Sequence, residues 1–191
     1  MNAIEIKRAT LNELEELQKV ARMTFWETFA AVNSAENMRK YLEERFSAQR
    51  LSMELMNRDS EFYLAMVGDR AVGYLKLNFG QAQTEPQDEK AVEIERIYVI
   101  REFHGGQVGQ RLFEQAMRIA TEKRTSYVWL GVWENNLRAI SFYRKNGFAA
   151  FDTHIFRLGD DVQTDLLMKI VLNADKKKDR KADSADRSGL K

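Results

Sequence analysis

Three features of the sequence predict a mixed α/β fold, with one mostly antiparallel sheet of seven strands flanked by helices. Short apolar segments joined by Gly68-Asp69 and by Gly159-Asp160 read as hairpins toward the two ends of the chain, and hairpins pair strands antiparallel. Between them a strand, a helix, a strand and a second helix alternate, and a helical crossover joins parallel strands. The chain has 191 residues, which is enough for one core without disulfides, and it contains no cysteine.

The first half of the chain is predicted to form three strands and three helices. Residues 4–8 alternate as a strand does, and Thr10 opens the capping box TLNE. The helix after it should bury one face, formed by Leu11, Leu14, Leu17, Ala21 and Phe25. The remaining predicted elements are a helix capped by Ser34 that carries Met38, Tyr41, Leu42 and Phe46, a short helix over 51–56, and strands over 61–67 and 71–79.

The second half begins with a polar loop over residues 80–89, which contains the only proline, Pro86. The predicted elements that follow are a strand over 93–100, a helix over 112–122, a strand over 127–132, a helix over 139–145 and strands over 148–158 and 163–172. No internal repeat is visible, so residues 1–172 are predicted to form a single domain.

Charge separates this domain from the end of the chain. Residues 173–191 hold seven basic and four acidic residues and little apolar surface, which predicts a disordered tail. Without that tail the net charge of +1 becomes about −2, which disfavours a nucleic-acid binder. The longest apolar run has six residues, and no secretory signal is visible, so we expect a cytoplasmic protein that does not enter membranes.

The segment IERIYVIREFHGGQVGQRLF, residues 94–113, carries the first chemical signal. A strand ends, a glycine-bearing loop follows, and a helix begins at once, so that backbone N–H groups and the helix N-terminus can face one phosphate or pyrophosphate. Alone the signal is weak, because the loop is neither a Walker A loop nor a GxGxxG after the first strand. A tight turn that needs glycine is the alternative.

The segment WLGVWENNLRAISFYRKNGF, residues 129–148, supplies a strand, an asparagine pair and a helix with Tyr143. In this order the two segments resemble the GCN5-related N-acetyltransferase (GNAT) family. Its pyrophosphate pattern is Q/R-x-x-G-x-G/A, and its second pattern, N-x-x-A-x-x-[FL]-Y, is met by Asn136, Ala139, Phe142 and Tyr143. The resemblance covers residues 4–172 and implies a sheet that is splayed between strands 4 and 5.

Further segments are similar to the bacterial PaiA-type acetyltransferases, which acetylate spermidine and spermine. These segments are FWETF, NSAENMRKYLEERF, IERIYV, WLGVWENN and DDVQTDLLM. One departure concerns the pyrophosphate pattern, because His104 takes the Gln/Arg position and Gln107 the first glycine, while Gly109 matches the last. Gly105 and Gly106 could supply the backbone freedom that the first glycine of the pattern would give. We therefore expect the change to alter the affinity for the cofactor rather than to abolish its binding.

The resemblance implies acetyl-CoA as co-substrate and assigns its contacts. Backbone groups of strand 4 would receive the pantetheine arm, and a backbone N–H there, that of Val99, would stabilise the oxyanion. The residues assigned to cofactor binding are Ile97, Tyr98, Val99, Gly105, Gly106, Gln107, Val108, Gly109, Gln110, Asn136, Leu137, Arg138 and Tyr143. No metal site is predicted, because His104 and His154 are far apart and lack a supporting carboxylate pattern.

Two residues are predicted to move protons. An alkyl amine is almost fully protonated at pH 7, so a base must accept its proton, and Glu95 near the acetyl site is the candidate, directly or through water. Its alternative is an ion pair with Arg96, Arg101 or a lysine. By resemblance, Tyr143 would protonate the departing thiolate, and its alternative is a half-buried core tyrosine.

A polyamine carries several positive charges, so its groove should be acidic. The candidate acids are Glu27, Glu36, Glu93, Glu95, Glu134 and Asp152, each with a solvated surface role as the alternative. The aromatic residues that could stack on the acceptor are Trp26, Tyr41 and Trp133.

The leading prediction is therefore acetyl transfer from acetyl-CoA to a primary amine of spermidine or spermine, directly within a ternary complex. An acceptor of another kind (a protein N-terminus, a lysine or another small amine) remains open, because fold does not determine the acceptor. A non-catalytic CoA-binding regulator is the second alternative, and a monomer and a homodimer are both compatible with the sequence. Direct DNA binding ranks last, since no helix-turn-helix signature is present.

Overall fold

The computed structural model describes residues 3–85, 88–158 and 161–172. Seven strands and five α-helices make up this part of the chain. The strands are β1 (Ile4–Ala9), β2 (Ser60–Val67), β3 (Arg70–Asn78), β4 (Ala91–Val99), β5 (Tyr127–Trp133), β6 (Ala149–Leu158) and β7 (Asp161–Val171). The helices are α1 (Leu14–Phe29), α2 (Ala35–Arg45), α3 (Ala48–Met56), α4 (Val108–Glu122) and α5 (Leu137–Lys145). The predicted fold class is confirmed.

One sheet contains all seven strands in the order β1-β2-β3-β4-β5-β7-β6. Five neighbouring pairs are antiparallel, and β4 and β5 form the single parallel pair among the described strands. The β4–β5 register runs only from Ala91–Tyr127 to Glu93–Trp129, although both strands continue beyond it. The two strands therefore diverge after Glu93, which confirms the predicted splay.

Helices α1 and α4 both pack against the central strands β3 and β4. Strand β3 is buried at every residue from Val72 to Asn78, as expected for a strand with both faces covered. The main hydrophobic core fills the space between these helices and the sheet. Strand β3, the neighbour of β4, is consequently held by packing on both faces.

The two predicted caps, Thr10 and Ser34, are both present, and the structure adds a third cap, Ser47. Thr10 Oγ1 accepts a hydrogen bond from the backbone N–H of Asn12, and Glu13 bonds back to the Thr10 N–H. Ser34 caps α2, and Ser47 caps α3, which begins at Ala48, three residues before the predicted start. The prediction that Leu11 is buried is wrong, because Leu11 lies in a 3-10 turn ahead of α1 and is exposed.

Other boundaries shift by a few residues. Helix α4 begins at Val108, one turn before residue 112, and α5 begins at Leu137, two residues before the prediction. In α5 the side chain of Asn136 accepts a hydrogen bond from the Ala139 N–H, which explains the earlier start. The loop after β3 contains a 3-10 turn, Gly80–Ala82, while Pro86 lies outside the described residues.

The last two strands pair antiparallel as predicted, but β7 is inserted between β5 and β6. The turn residues Gly159 and Asp160 lie outside the described residues, and so does the predicted tail, 173–191. Within the described ranges, every helix is too short or too polar to cross a bilayer.

Candidate active site

A cavity of about 820 Å³ opens where β4 and β5 separate. Its walls come from the second half of β4, the end of β5, the loop before α4, helices α1, α2 and α5, and β7. The splay places the two segments that carry the predicted chemistry, residues 94–113 and 129–148, on opposite sides of one opening. We call the side near α4 and α5 the cofactor half and the side near Glu93 and Glu95 the acceptor half.

The start of α4, together with the loop before it, has backbone N–H groups without a side-chain cap. Gly105 has φ 82°, Gln107 has φ 67°, and no side chain caps the start of α4. The N–H groups of the first helical turn, at Val108, Gly109 and Gln110, lack the acceptors that residues farther along a helix have. A helix start of this kind suits a phosphate or pyrophosphate, so the loop fits the cofactor that the sequence implied.

Strand β4 offers a free backbone edge to the cavity. Ile100 N–H donates to Val72 C=O on β3 at 2.9 Å, and in an antiparallel pair alternate residues point their backbone groups to opposite sides. The backbone groups of Val99 and Ile97 therefore face the splay, whereas those of Tyr98 pair with β3. An extended ligand with amide groups, such as a pantetheine arm, fits this edge.

His104 connects the two walls of the cofactor half. Its Nε2 lies 2.8 Å from the carbonyl oxygen of Val99, and its Nδ1 contacts Nη1 of Arg138 on α5. Since a carbonyl only accepts, Nε2 carries the proton and Nδ1 accepts from Arg138. Burial, together with the nearby Arg138 charge, lowers the pKa of His104, so the neutral ring is favoured. His104, which stands where the family pattern has Gln or Arg, thus links the loop before α4 to helix α5.

Most predicted cofactor residues meet at the cavity. The ones that line it are Ile97, Tyr98, Val99, Gly105, Gly109, Asn136, Arg138 and Tyr143. The others lie in the same two segments without forming the described wall; they are Gly106, Gln107, Val108, Gln110 and Leu137. Among these, Val108 is buried in the core and Leu137 is exposed.

Gln107 occupies a backbone conformation that favours glycine. A left-handed residue other than glycine costs on the order of 1 kcal/mol. We expect Gln107→Gly to raise the free energy of unfolding by about 1 kcal/mol without weakening acetyl-CoA binding, as measured by urea denaturation and calorimetric titration.

A matched control is Arg124→Gly, since Arg124 also has positive φ (55°) but follows α4 at its other end. It should stabilise the protein to a similar degree and leave cofactor affinity unchanged. Weaker acetyl-CoA binding in Gln107→Gly alone would show that the Gln107 side chain itself contacts the cofactor.

Tyr143 lies on α5 and is almost fully buried, yet it lines the cavity. Its ring packs against Phe142 and Phe148 with centroids 5.5 and 5.7 Å away. Burial raises the pKa of the Tyr143 hydroxyl above its ordinary value of 10. The hydroxyl therefore stays protonated at neutral pH and is available as a proton donor.

Glu93 and Glu95 form a linked pair of carboxylates in the acceptor half. Asn78 Nδ2 donates to Glu93 Oε2 at 3.0 Å and to Glu95 Oε2 at 2.5 Å. Glu93 also accepts from the backbone N–H and the hydroxyl of Thr84, at 2.8 and 2.5 Å. Burial raises the pKa of the Glu93 carboxyl, although the hydrogen bonds from Thr84 and Asn78 oppose that shift.

Glu95 forms ion pairs with Arg96 and a lysine, as the alternative to its role as a base predicted. Its oxygens lie 2.6 Å from Lys76 Nζ and 2.9 Å from Arg96 Nη2. Burial alone would raise the pKa of Glu95, but Arg96 and Lys76 lower it to about 2. The β3–β4 register pairs Lys76 with Arg96 and then Leu77 with Ile94, so Glu95 is a bulge residue. It is a fixed negative charge and a weak base at neutral pH.

Three of the six predicted acids line the cavity. Glu27, Glu93 and Glu95 line the cavity, and Glu27 also accepts a hydrogen bond from the Arg101 N–H at 2.7 Å. The described wall does not include the other three, which are Glu36, Glu134 and Asp152. Of the aromatic candidates, Tyr41 and Trp133 line the cavity and Trp26 is exposed elsewhere.

Sequence reasoning missed Glu85 and Asp165, which also line the cavity. Glu85 Oε1 lies 3.1 Å from His154 Nδ1, and burial raises the pKa of Asp165, which pairs across the strands with His154. Asp165 reaches the cavity because β7 pairs with β5. Pairing between strands that are distant along the chain leaves no signal in the local sequence. The described ranges contain no group of three or more side chains that could hold a metal ion.

Comparison with known proteins identifies similar chains. The acetyltransferase (GNAT) family pattern matches residues 20–148. The chain is 40% identical to the uncharacterized N-acetyltransferase of the pepI 3' region of Lactobacillus delbrueckii subsp. lactis, over 90% of this chain and 99% of that relative. It is 28% identical to the spermidine N(1)-acetyltransferase of Thermoplasma acidophilum, over 79% of this chain and 91% of that relative.

Among solved structures, the fold is similar to a PaiA N-acetyltransferase from Thermoplasma acidophilum in complex with coenzyme A. The TM-score is 0.74 at 26% sequence identity, and the match covers 89% of this chain and 99% of the other. The shared architecture includes nearly the whole described part of the chain.

Proposed function

Because this chain belongs to the GNAT family and is an acetyl-CoA-dependent N-acetyltransferase, we propose that it acetylates a primary amino group of a polyamine such as spermidine. The observation that carries the proposal is the excess of acidic side chains in the acceptor half, where Glu85, Glu93, Glu95 and Asp165 line the cavity against the two arginines Arg45 and Arg96. Carboxylates in a partly buried site attract alkylammonium groups strongly. The similarity to a protein named as a spermidine acetyltransferase supports the same acceptor class.

For the cofactor, acetyl-CoA supplies an acetyl group activated as a thioester. In our proposal the start of α4 binds the pyrophosphate, the free edge of β4 aligns the pantetheine arm, and Asn136 and Arg138 close the other side. The Val99 N–H faces the splay and would polarise the acetyl carbonyl. The chain has no cysteine to carry the acetyl group, which favours direct transfer to the amine.

We assign proton removal to the linked pair of carboxylates. Glu95, the residue predicted from sequence, provides the permanent negative charge that holds the ammonium. Glu93, whose pKa is raised, is the better final acceptor, because a useful base has a pKa nearer to the working pH. Tyr143 donates the proton that the departing thiolate needs.

The proposal is tested by measuring CoA thiol release from acetyl-CoA with a panel of amines. We expect kcat/KM for spermidine and spermine to exceed that for tyramine, free lysine and a short peptide by at least about tenfold, because one added ion pair in a partly buried site has that effect. Initial-rate plots should intersect, as direct transfer in a ternary complex requires.

Other outcomes point to other functions. Turnover of the peptide or of tyramine alone would keep the acetyltransferase and replace the acceptor. Tight acetyl-CoA binding without thiol release from any amine would indicate a CoA-binding regulator.

A further inference from the structure

Behind Glu95 lies a compact group of four charges that we call the Glu54 quartet, formed by Glu54, Lys76, Glu95 and Arg96. Lys76 Nζ lies 2.9 Å from Glu54 Oε2 and 2.6 Å from Glu95 Oε2. Arg96 likewise contacts both acids, at 3.0 Å to Glu54 and 2.9 Å to Glu95. Each cation is thus shared by the same two carboxylates, one on α3 and one at the bulge of β4.

The quartet is buried and electrically balanced. The side chains of Lys76 and Glu54 are 6% and 7% exposed, and those of Arg96 and Glu95 are 12% and 18% exposed. Within the quartet two positive and two negative charges sum to zero, and Arg50, whose side chain is 44% exposed, adds a further positive charge on the solvent side of Glu54. Such an arrangement is seldom needed for stability, since apolar residues of similar volume stabilise a core at least as well. A role at the neighbouring site is the more specific explanation.

Only part of the quartet reaches the cavity. Glu95 and Arg96 line it, whereas Glu54 on α3 and Lys76 on β3 lie outside the described wall. Glu54 therefore acts on the acceptor half through the two cations that it shares with Glu95. Removing its charge would leave a quartet of net charge +1 beside the position of an incoming ammonium group.

We infer that Glu54 is a positioning residue for a cationic acceptor: it balances Lys76 and Arg96 so that Glu95 presents its negative charge to the substrate. This inference rests on the proposed function, because it concerns how that acceptor is held. It predicts that the sign of the quartet's net charge, rather than the mere presence of its contacts, controls acceptor affinity.

The test uses steady-state kinetics of the full-length protein with acetyl-CoA and spermidine. Glu54→Gln gives the quartet a net charge of +1 and should raise KM for spermidine roughly tenfold, with less effect on kcat. Lys76→Met gives −1 and should lower KM. The double variant is neutral again and should return KM to within about threefold of the wild type.

Arg50→Gln is the matched control. Arg50 contacts Glu54 at 2.9 Å, as closely as Lys76 does, but its side chain is 44% exposed, so solvent screens its charge and its loss should lower KM less than Lys76→Met does. The effect of Glu54→Gln should also be larger for spermidine than for a monoamine, and should shrink as salt is added. Acetyl-CoA affinity should be the same in all variants, which shows that they are folded.

An increase of KM in both single variants would overturn the inference, because damage to the structure moves both in the same direction. If Glu54→Gln does not fold, Lys76→Met still tests the inference, because a raised KM for spermidine in that variant contradicts the predicted decrease. The proposed function would stand in either case. Absence of thiol release from wild-type protein with any amine would overturn both.

Discussion

Replacing Tyr143 with phenylalanine is expected to lower kcat roughly 100-fold, the usual contribution of a general acid. The hydroxyl is removed while the ring keeps its contacts with Phe142 and Phe148, so the fold of α5 should be unaffected. The Kd for acetyl-CoA should change less than threefold, since a proton given only to the leaving group contributes little to binding of the ground state. Stopped-flow thiol release and calorimetric titration measure the two quantities.

Tyr63→Phe serves as the matched control, because Tyr63 is a buried tyrosine on β2 whose hydroxyl donates to Glu61 at 2.7 Å, away from the cavity. It should leave both kcat and Kd unchanged. Equal losses of kcat and of acetyl-CoA affinity in Tyr143→Phe would instead make Tyr143 a binding residue.

A second large effect is expected for Glu93→Gln, which should lower kcat/KM for spermidine about 100-fold at pH 7. Glutamine has nearly the same shape and can still accept from Thr84 and Asn78, but it cannot accept the proton of the ammonium. The wild-type enzyme should lose activity as the pH falls through the raised pKa of Glu93, because a protonated carboxyl is no longer a base. This acidic decline of kcat/KM should disappear in the variant.

Glu95→Gln provides the comparison. With a pKa of about 2, Glu95 stays ionised throughout the range in which activity is measured, so its loss should raise KM and leave the acidic decline in place. Its lowered pKa stabilises the folded state above about pH 4.5, and that contribution is lost between pH 4.5 and 2. If the decline disappears in Glu95→Gln and persists in Glu93→Gln, the assignment of the two residues is reversed.

The secondary structure was largely predictable because its signals are local. The capping box at Thr10, the serine cap at Ser34 and the turn at Gly68 depend on residues within a few positions of one another. Errors occurred where geometry changes within a turn, as at Leu11, or where an unusual residue starts a helix, as Gln107 does. Leu11 is apolar but exposed, and Gln107 has a left-handed backbone that its residue type does not predict.

The candidate site was predicted less evenly. The two segments of the cofactor half carry their predicted residues close together, and eight of those thirteen residues line the cavity. The acceptor half depends on side chains from α3, β3, β4 and β7, and three of the six predicted acids are absent from the described cavity wall. The missed residue Asp165 lies there only because β7 pairs with β5.

By itself, the sequence determined the order of the elements, because periodicity, caps and glycine loops act over short distances along the chain, and its two motif segments resemble the family to which the chain belongs. The tertiary structure alone decided which charges meet. The bulge at Glu95, its ion pairs with Lys76 and Arg96, and the contacts of both cations with Glu54 join residues up to 42 positions apart. The pKa of a buried carboxyl depends on such neighbours and on exclusion from water, and neither is written in local sequence.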